Sequence, residues 1–268
     1  MQIHVCSLQR DRSPYLAEWI QFHSLQGVGH FYLYLHHAGD DLDLARLLQK
    51  SYPITIYRVD LNLYQPQLGA FQHCLDHHGH EFDWCAFIDS DEFIYDLGGR
   101  SLAQAIQPYH YQDLSALAIY WQVFGTSGHV LEPRGRITEQ FRWRADRSHW
   151  LNRHFKSLVR GHQGSSAKVS NGSHWFHTIM GTKDTAMRPI EQALRTDSGH
   201  VLSPWPADHS SLVINHYATQ SLEYWLKVKQ HQGSADQWGH ERRTWQWFRD
   251  YDQNAVWDQG LDFMKDRW

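Results

Sequence analysis

The sequence predicts an α/β protein built on a mostly parallel sheet with crossover helices. Two observations carry that prediction. Across residues 2–87, short apolar runs alternate with stretches whose apolar positions recur at helical spacing, the pattern of strands joined by helices in a Rossmann-like sheet. The apolar run Trp84-Cys85-Ala86-Phe87-Ile88 then breaks abruptly into Asp89, Asp91 and Glu92. In an open α/β sheet, the carboxyl end of a strand is where ligands bind.

In chain order, residues 2–8 read as a first strand, ended by Gln9-Arg10-Asp11-Arg12. Ser13-Pro14 opens a helix by capping residue and first-turn proline. Leu16, Trp19 and Ile20 form its apolar face, and Gly27 and Gly29 close it. Residues 31–35 read as a strand, Asp40-Asp41 opens a short helix to Leu48, and residues 53–59 read as a third strand. Residues 67–78 read as the helix before the Trp84 strand. Beyond the acids come a short helix at 102–106, a strand at 115–123 and a tight loop at 125–129. Residues 134–172 are polar and basic, and 181–208 read as a long loop or lid. A brief strand at 212–215 and a helix at 221–230 follow. Residues 236–268 read as one or two amphipathic helices against the body. The expected organisation is one domain over 1–230, with a C-terminal helical extension, 231–268, packed on it.

Composition excludes some functions. The net charge of −4 over 268 residues, with no long basic run, argues against nucleic acid as a partner. No apolar segment is long enough to cross a bilayer, and the N-terminus lacks a signal pattern. The expectation is a cytoplasmic protein without a transmembrane segment, which leaves room for peripheral membrane association. Cys6, Cys74 and Cys85 lack metal-type spacing and read as buried thiols. His73 and His77, four apart on a helix, lack a third spaced ligand for zinc. The 21 His and 13 Trp suit stacking on sugars and suit an ordinary core equally well.

The acidic motif is more informative. Three carboxylates at the end of a buried strand repel one another, and desolvation sharpens the repulsion. A divalent cation removes that cost, so Asp-x-Asp here points to a metal that holds a diphosphate. The competing reading is an Asp-rich turn or helix cap. On the repulsion argument, Asp91→Asn is expected to melt no lower than the native protein.

Several segments together resemble one family. These are Tyr15-Leu16-Ala17-Glu18-Trp19-Ile20, Gly27-Val28-x-His30-Phe31-Tyr32, Gln67-x-x-Ala70-Phe71 and Ile88-Asp89-Ser90-Asp91-Glu92-Phe93. Trp121-x-x-Phe124-Gly125-Thr126-Ser127-Gly128-His129, Lys156-Ser157-Leu158-Val159, His174-Trp175-Phe176 and Ile214-Asn215-His216-Tyr217-x-x-x-Ser221-x-Glu223-x-x-x-Lys227 follow in order. This array, over roughly residues 5–230, resembles glycosyltransferase family 92 and related bacterial family-two-like transferases. The resemblance implies a GT-A fold, a sugar-nucleotide donor and a divalent metal. Where the family carries Lys-Asn-Glu this chain has Arg10-Asp11-Arg12, and where it carries Asp-Asn this chain has His36-His37. Those turns flank the nucleotide base in the family, so the donor's identity stays open. Gln220 replaces a usual lysine.

The expected activity is metal-dependent transfer from a nucleotide sugar, of UDP type, to a glycan or glycolipid hydroxyl, with inversion as the family implies. Asp91 is the first candidate ligand for Mn²⁺ or Mg²⁺, Asp89 a second or a ribose contact, and His216 a third that tilts the choice toward Mn²⁺. Arg10, Asp11, Arg12 and Lys156 are candidates to hold the nucleotide and its phosphates. Glu92 and Gly128 are placed near substrate. His174 is the alternative metal ligand or an acceptor contact, and Trp121 and Trp175 are possible sugar platforms. His129 and Asp208 are candidates for the base that an inverting transfer requires. Rival readings are a non-catalytic carbohydrate-binding protein and a metal-dependent phosphoesterase acting on nucleotide sugars.

Overall fold

The computed structural model describes the chain apart from residues 11–12, 37–38, 61–64, 162–167, 170–173, 192–193, 196–200 and 233–241. Asp11, Arg12 and His37 therefore lie outside the described residues. Strands β1 (Ile3–Gln9), β2 (His30–Leu35), β3 (Ile54–Arg58) and β4 (Trp84–Phe87) form the first half of the sheet. They run parallel in the order β3-β2-β1-β4. Helices α1 (Ser13–Leu25), α2 (Asp40–Leu48) and α3 (Pro66–His78) are the crossovers, and α4 (Leu102–His110) follows the acidic motif. A capping box between Ser101 and Gln104 starts α4.

The second half is mixed. β5 (Glu92–Asp96), β6 (Ala116–Val123), the short β7 (Trp143–Arg144) and β8 (Phe155–Arg160) come next in the chain. β8 runs antiparallel between β4 and β6, so β6 points the same way as β4. Two-residue strands β9 (Lys168–Val169) and β10 (Phe176–His177) pair with each other. β11 (Thr182–Asp184) and β12 (Pro189–Ile190) extend the main sheet beyond β6. β13 (Leu194–Arg195) and β14 (Val201–Leu202) form another small ribbon. The 181–208 stretch, expected as a loop or lid, thus contributes two strands to the sheet.

β15 (Leu212–His216) lies parallel to the end of β6 and antiparallel to β5. The carboxyl ends of β4, β6 and β15 and the start of β8 and β5 therefore meet at one edge. This follows from strand direction alone, and it gathers residues distant in sequence: Asp89, Lys156, Glu92 and His216.

The core is apolar on both faces of the sheet. Trp19, Phe22, Phe31 and Phe93 form one side, and Phe71, Phe87, Tyr32 and the three thiols form another. Cys6, Cys74 and Cys85 are free and buried, as the spacing implied.

The chain beyond 230 is more than helical. Among its described residues are a helix at Trp245–Tyr251 and β16 (Val256–Trp257), which pairs with β7. Its turn docks on the glycine loop. Thr126 and Ser127 donate their backbone N–H groups to Asp252 Oδ1 at 2.7 Å and Asn254 Oδ1 at 2.8 Å. A Cβ on Gly125 would stand 2.6 Å from the Gln253 carbonyl oxygen, so only glycine admits this approach. The loop is a cradle that sets Tyr251 beside the carboxyl edge.

Candidate active site

Asp89 is the most exposed of the three acids, with 31 % of its side chain accessible, and it faces the fully buried Lys156 ammonium at 2.8 Å. Gln67 donates to its other oxygen. Glu92 is wholly buried. Its Oε2 accepts the Asp89 amide at 2.7 Å and its Oε1 stands 3.9 Å from Lys156. Burial pushes the Glu92 carboxyl well up, against the pull of Lys156. Burial would lower the Lys156 ammonium, yet Asp89 and Glu92 more than offset it and hold it raised. Lys156 is therefore the internal counter-ion of the motif, and its buried position does not match a free phosphate clamp.

Asp91 is 3 % exposed. Its Oδ2 accepts from the Lys229 ammonium, and its Oδ1 stands 3.7 Å from His216 Nε2. The Asp91 carbonyl accepts the Tyr217 N–H at 2.9 Å, and Glu92 is the ladder partner of His216. Backbone pairing thus sets imidazole and carboxylate side by side. Lysine at 229 was not among the expected site residues. It sits in a π-helical turn, Trp225–Lys229, a local widening that recurs at functional sites.

Aromatic rings wall His216. Its ring centroid lies 4.0 Å from that of Trp121 and 6.0 Å from that of Tyr251. Burial lowers its pKa to about 4, against the pull of Asp91, so the imidazole is neutral at pH 7. His154 stacks on Trp121 at 4.5 Å and His174 meets it edgewise at 5.4 Å. Trp121 is 4 % exposed, so its faces serve neighbouring imidazoles and not a sugar. Its buried indole Nε1 makes no hydrogen bond.

Other candidates have structural partners. His129 Nε2 contacts the Gln140 carbonyl at 3.0 Å, and its ring abuts Phe141. Gly128 adopts a φ of +79°, which completes the cradle turn. Asp208 accepts from Thr185 Oγ1 at 2.6 Å and from Ser210, a turn-capping arrangement. The contacts of both base candidates thus support loops. Arg10 donates to the Gln232 carbonyl, tying the end of β1 to the chain after the π-helical turn. Trp175 packs against Tyr120, Phe155 and Ile190. His174 Nδ1 contacts the Phe155 carbonyl at 2.7 Å. A carbonyl only accepts, so Nδ1 donates.

The residues fit a divalent cation at Asp91 and His216. Two cis ligands of an ion with bonds of about 2.1 Å stand roughly 3 Å apart, and 3.7 Å is close to that. The 3.7 Å separation of His216 Nε2 and Asp91 Oδ1 is longer than a hydrogen bond, so the two atoms are not bonded to each other and can share a cation. Among the described residues, no three His, Cys, Asp or Glu side chains already form a metal-binding group.

Comparisons place the chain. It is 27 % identical over 180 residues to a glycosyltransferase family 92 protein of Oryza sativa subsp. japonica, covering 67 % of this chain and 30 % of the relative. It is 27 % identical over 223 residues to one of Ricinus communis, covering 82 % and 36 %. The chain thus spans about a third of the length of these curated relatives. Among solved structures, HddC from Yersinia pseudotuberculosis is similar at 14 % identity and TM-score 0.34, covering 60 % of this chain and 71 % of that one. A UDP-glucose pyrophosphorylase complexed with UDP-glucose is similar at 10 % identity and TM-score 0.33, covering 67 % and 74 %. The profile of Glycosyltransferase family 92 matches residues 3–254. With that match over nearly its whole length, the chain belongs to glycosyltransferase family 92.

Proposed function

We propose that the chain transfers a sugar from a UDP-type nucleotide sugar to a hydroxyl of a glycan or glycolipid acceptor, with inversion. In this reading Asp91 and His216 hold a divalent cation, Mn²⁺ in preference to Mg²⁺, and Asp89 lies beside it. The observation that carries the reading is the 3.7 Å approach of neutral, buried His216 to Asp91. When bound, the cation supplies Lewis-acid charge to the departing diphosphate.

The chain's own residues supply order around that charge. Lys156 and Gln67 fix both oxygens of Asp89. Glu92 anchors the motif's backbone through the Asp89 amide. Trp121 and Tyr251 keep water from His216, which strengthens each electrostatic contact there. In this reading His174, edgewise against Trp121 on the side away from the cation, contacts the acceptor.

Calorimetry of UDP with Mn²⁺ and with chelator tests the reading. Binding is expected to be at least about tenfold tighter with Mn²⁺, a difference of about 1.4 kcal/mol. Equal affinity in both conditions would remove the metal from the proposal.

A further inference from the structure

Two lysines in one turn are treated very differently. Lys227 is 70 % exposed and pairs with Glu223 on the surface. Lys229, two residues on, is 13 % exposed and lies on Asp91. An ordinary surface lysine does not surrender its hydration without a partner. Here the partner is the carboxylate proposed above as a metal ligand.

Lys229 does not stand alone. The Arg243 guanidinium donates to the Lys229 carbonyl at 2.7 Å, and its backbone N–H donates to the Gln230 carbonyl at 3.0 Å. Arg243 lies 4.9 Å over the ring of Trp247, which stacks on Tyr251 at 4.2 Å. Tyr251 in turn borders His216. The chain beyond 225 thus brings the Lys229 ammonium onto Asp91 and the Arg243 guanidinium onto the Lys229 backbone, close enough to feel the charge of Asp91. Two cations on this stretch suit a polyanion.

We propose that Lys229 has two positions: counter-ion of Asp91 in the empty enzyme and, once a divalent cation takes Asp91, ligand of the donor's diphosphate, with Arg243 behind it. The inference rests on the donor-site reading above. Electrostatics favour the exchange, because an ammonium on Oδ2 and a divalent cation on Oδ1 of the same carboxylate repel each other. The displaced ammonium sits on a flexible four-carbon stem, so phosphate oxygens held by the same cation are within its reach.

The test is a pair of titrations on the full chain, Mn²⁺ alone and then UDP at saturating Mn²⁺. Lys229→Gln is expected to bind Mn²⁺ about threefold tighter, because its competitor is gone, and UDP about tenfold weaker. Arg243→Gln is expected to weaken UDP binding and leave Mn²⁺ affinity unchanged. Lys229→Arg keeps the charge and should restore UDP binding to within a few-fold, which separates charge from misfolding. Lys227→Gln should match the native protein in both titrations. A Lys229→Gln protein in which only one affinity moves, or both weaken, or neither changes, would overturn the exchange. Native protein that binds neither Mn²⁺ nor UDP would overturn the donor-site reading itself, and the exchange with it.

Discussion

Lys156 and Asp89 form an ion pair at 2.8 Å with the ammonium fully buried and the carboxylate partly open to solvent. The pair joins the start of β8 to the end of β4, strands that run in opposite directions. It also changes the electrostatics of the acidic motif. The three carboxylates do not simply repel one another in the empty enzyme, because Lys156 and Lys229 stand between them.

Removing one partner of a buried pair leaves the other desolvated and uncompensated, at a cost of about 3–5 kcal/mol. Asp89 retains some access to water, so Lys156→Met is expected near the lower figure, about 3 kcal/mol. Urea unfolding at pH 7 measures it. Adding Asp89→Asn should recover part of the loss. Strict additivity in that double-mutant cycle would show that the two groups are not coupled.

The same lysines revise the expectation for Asp91→Asn. Repulsion alone predicted a variant that melts no lower than the native protein. With Lys229 on Asp91, the substitution removes an attraction, and a loss of about 1–2 kcal/mol is expected instead. The asparagine oxygen can still accept from Lys229, and repulsion from Asp89 and Glu92 is relieved, which together limit the cost. Thermal melts without metal, paired with UDP titrations, check both halves: a modest fall in stability and loss of Mn²⁺-dependent binding. Unchanged UDP affinity would remove Asp91 from the donor site.

A third prediction concerns His23, far from the chemistry. It is fully buried in α1, with Nδ1 against the Trp19 carbonyl at 2.8 Å and Nε2 accepting the Ile94 N–H at 3.2 Å. Both nitrogens are used by one neutral tautomer, and burial lowers the pKa to about 3. The unfolded chain takes up this proton near pH 6.5, and the folded chain does not. Stability from this group is therefore whole above pH 6.5 and declines as pH falls toward 3. The loss is about 2 kcal/mol at pH 5. Urea midpoints for the native protein and His23→Gln should converge as pH falls from 7.5 to 5. A constant gap would show that His23 is not the titrating group.

The sequence made one half of the sheet legible and hid the other, for physical reasons. β1 to β4 are short apolar runs bounded by caps and glycines, so periodicity locates them within a residue or two. β8 is as central as any of them, yet Phe155-Lys156-Ser157-Leu158-Val159-Arg160 carries a lysine and an arginine inside a basic segment. A buried lysine inverts the expected pattern because its partner is 67 residues away in sequence, at Asp89. Asp91 and His216 were legible as neighbours at the sheet's carboxyl edge because each follows or ends a recognisable strand. Lys229 was not, since its contact with Asp91 spans 138 residues and depends on a widened helical turn. That both faces of Trp121 are occupied by imidazoles was not legible, since those histidines lie far off in sequence.

The last prediction sets His216 against His174. Both were candidates for the third metal position, and the structure separates their surroundings. His216 Nε2 faces Asp91 at 3.7 Å, while His174 Nδ1 is committed to the Phe155 carbonyl and its ring lies against Trp121. His216→Ala removes a neutral imidazole ligand and is expected to weaken Mn²⁺ binding about tenfold or more. The cavity costs stability too, so metal affinity must be read on folded protein, by titration and not by activity alone. His174→Ala should leave Mn²⁺ and UDP affinities near native and act on acceptor kinetics, raising the acceptor KM or lowering the transfer rate about tenfold. Should His174→Ala weaken Mn²⁺ binding while His216→Ala spares it, the metal sits on the other side of Trp121 and the assignment of both residues reverses.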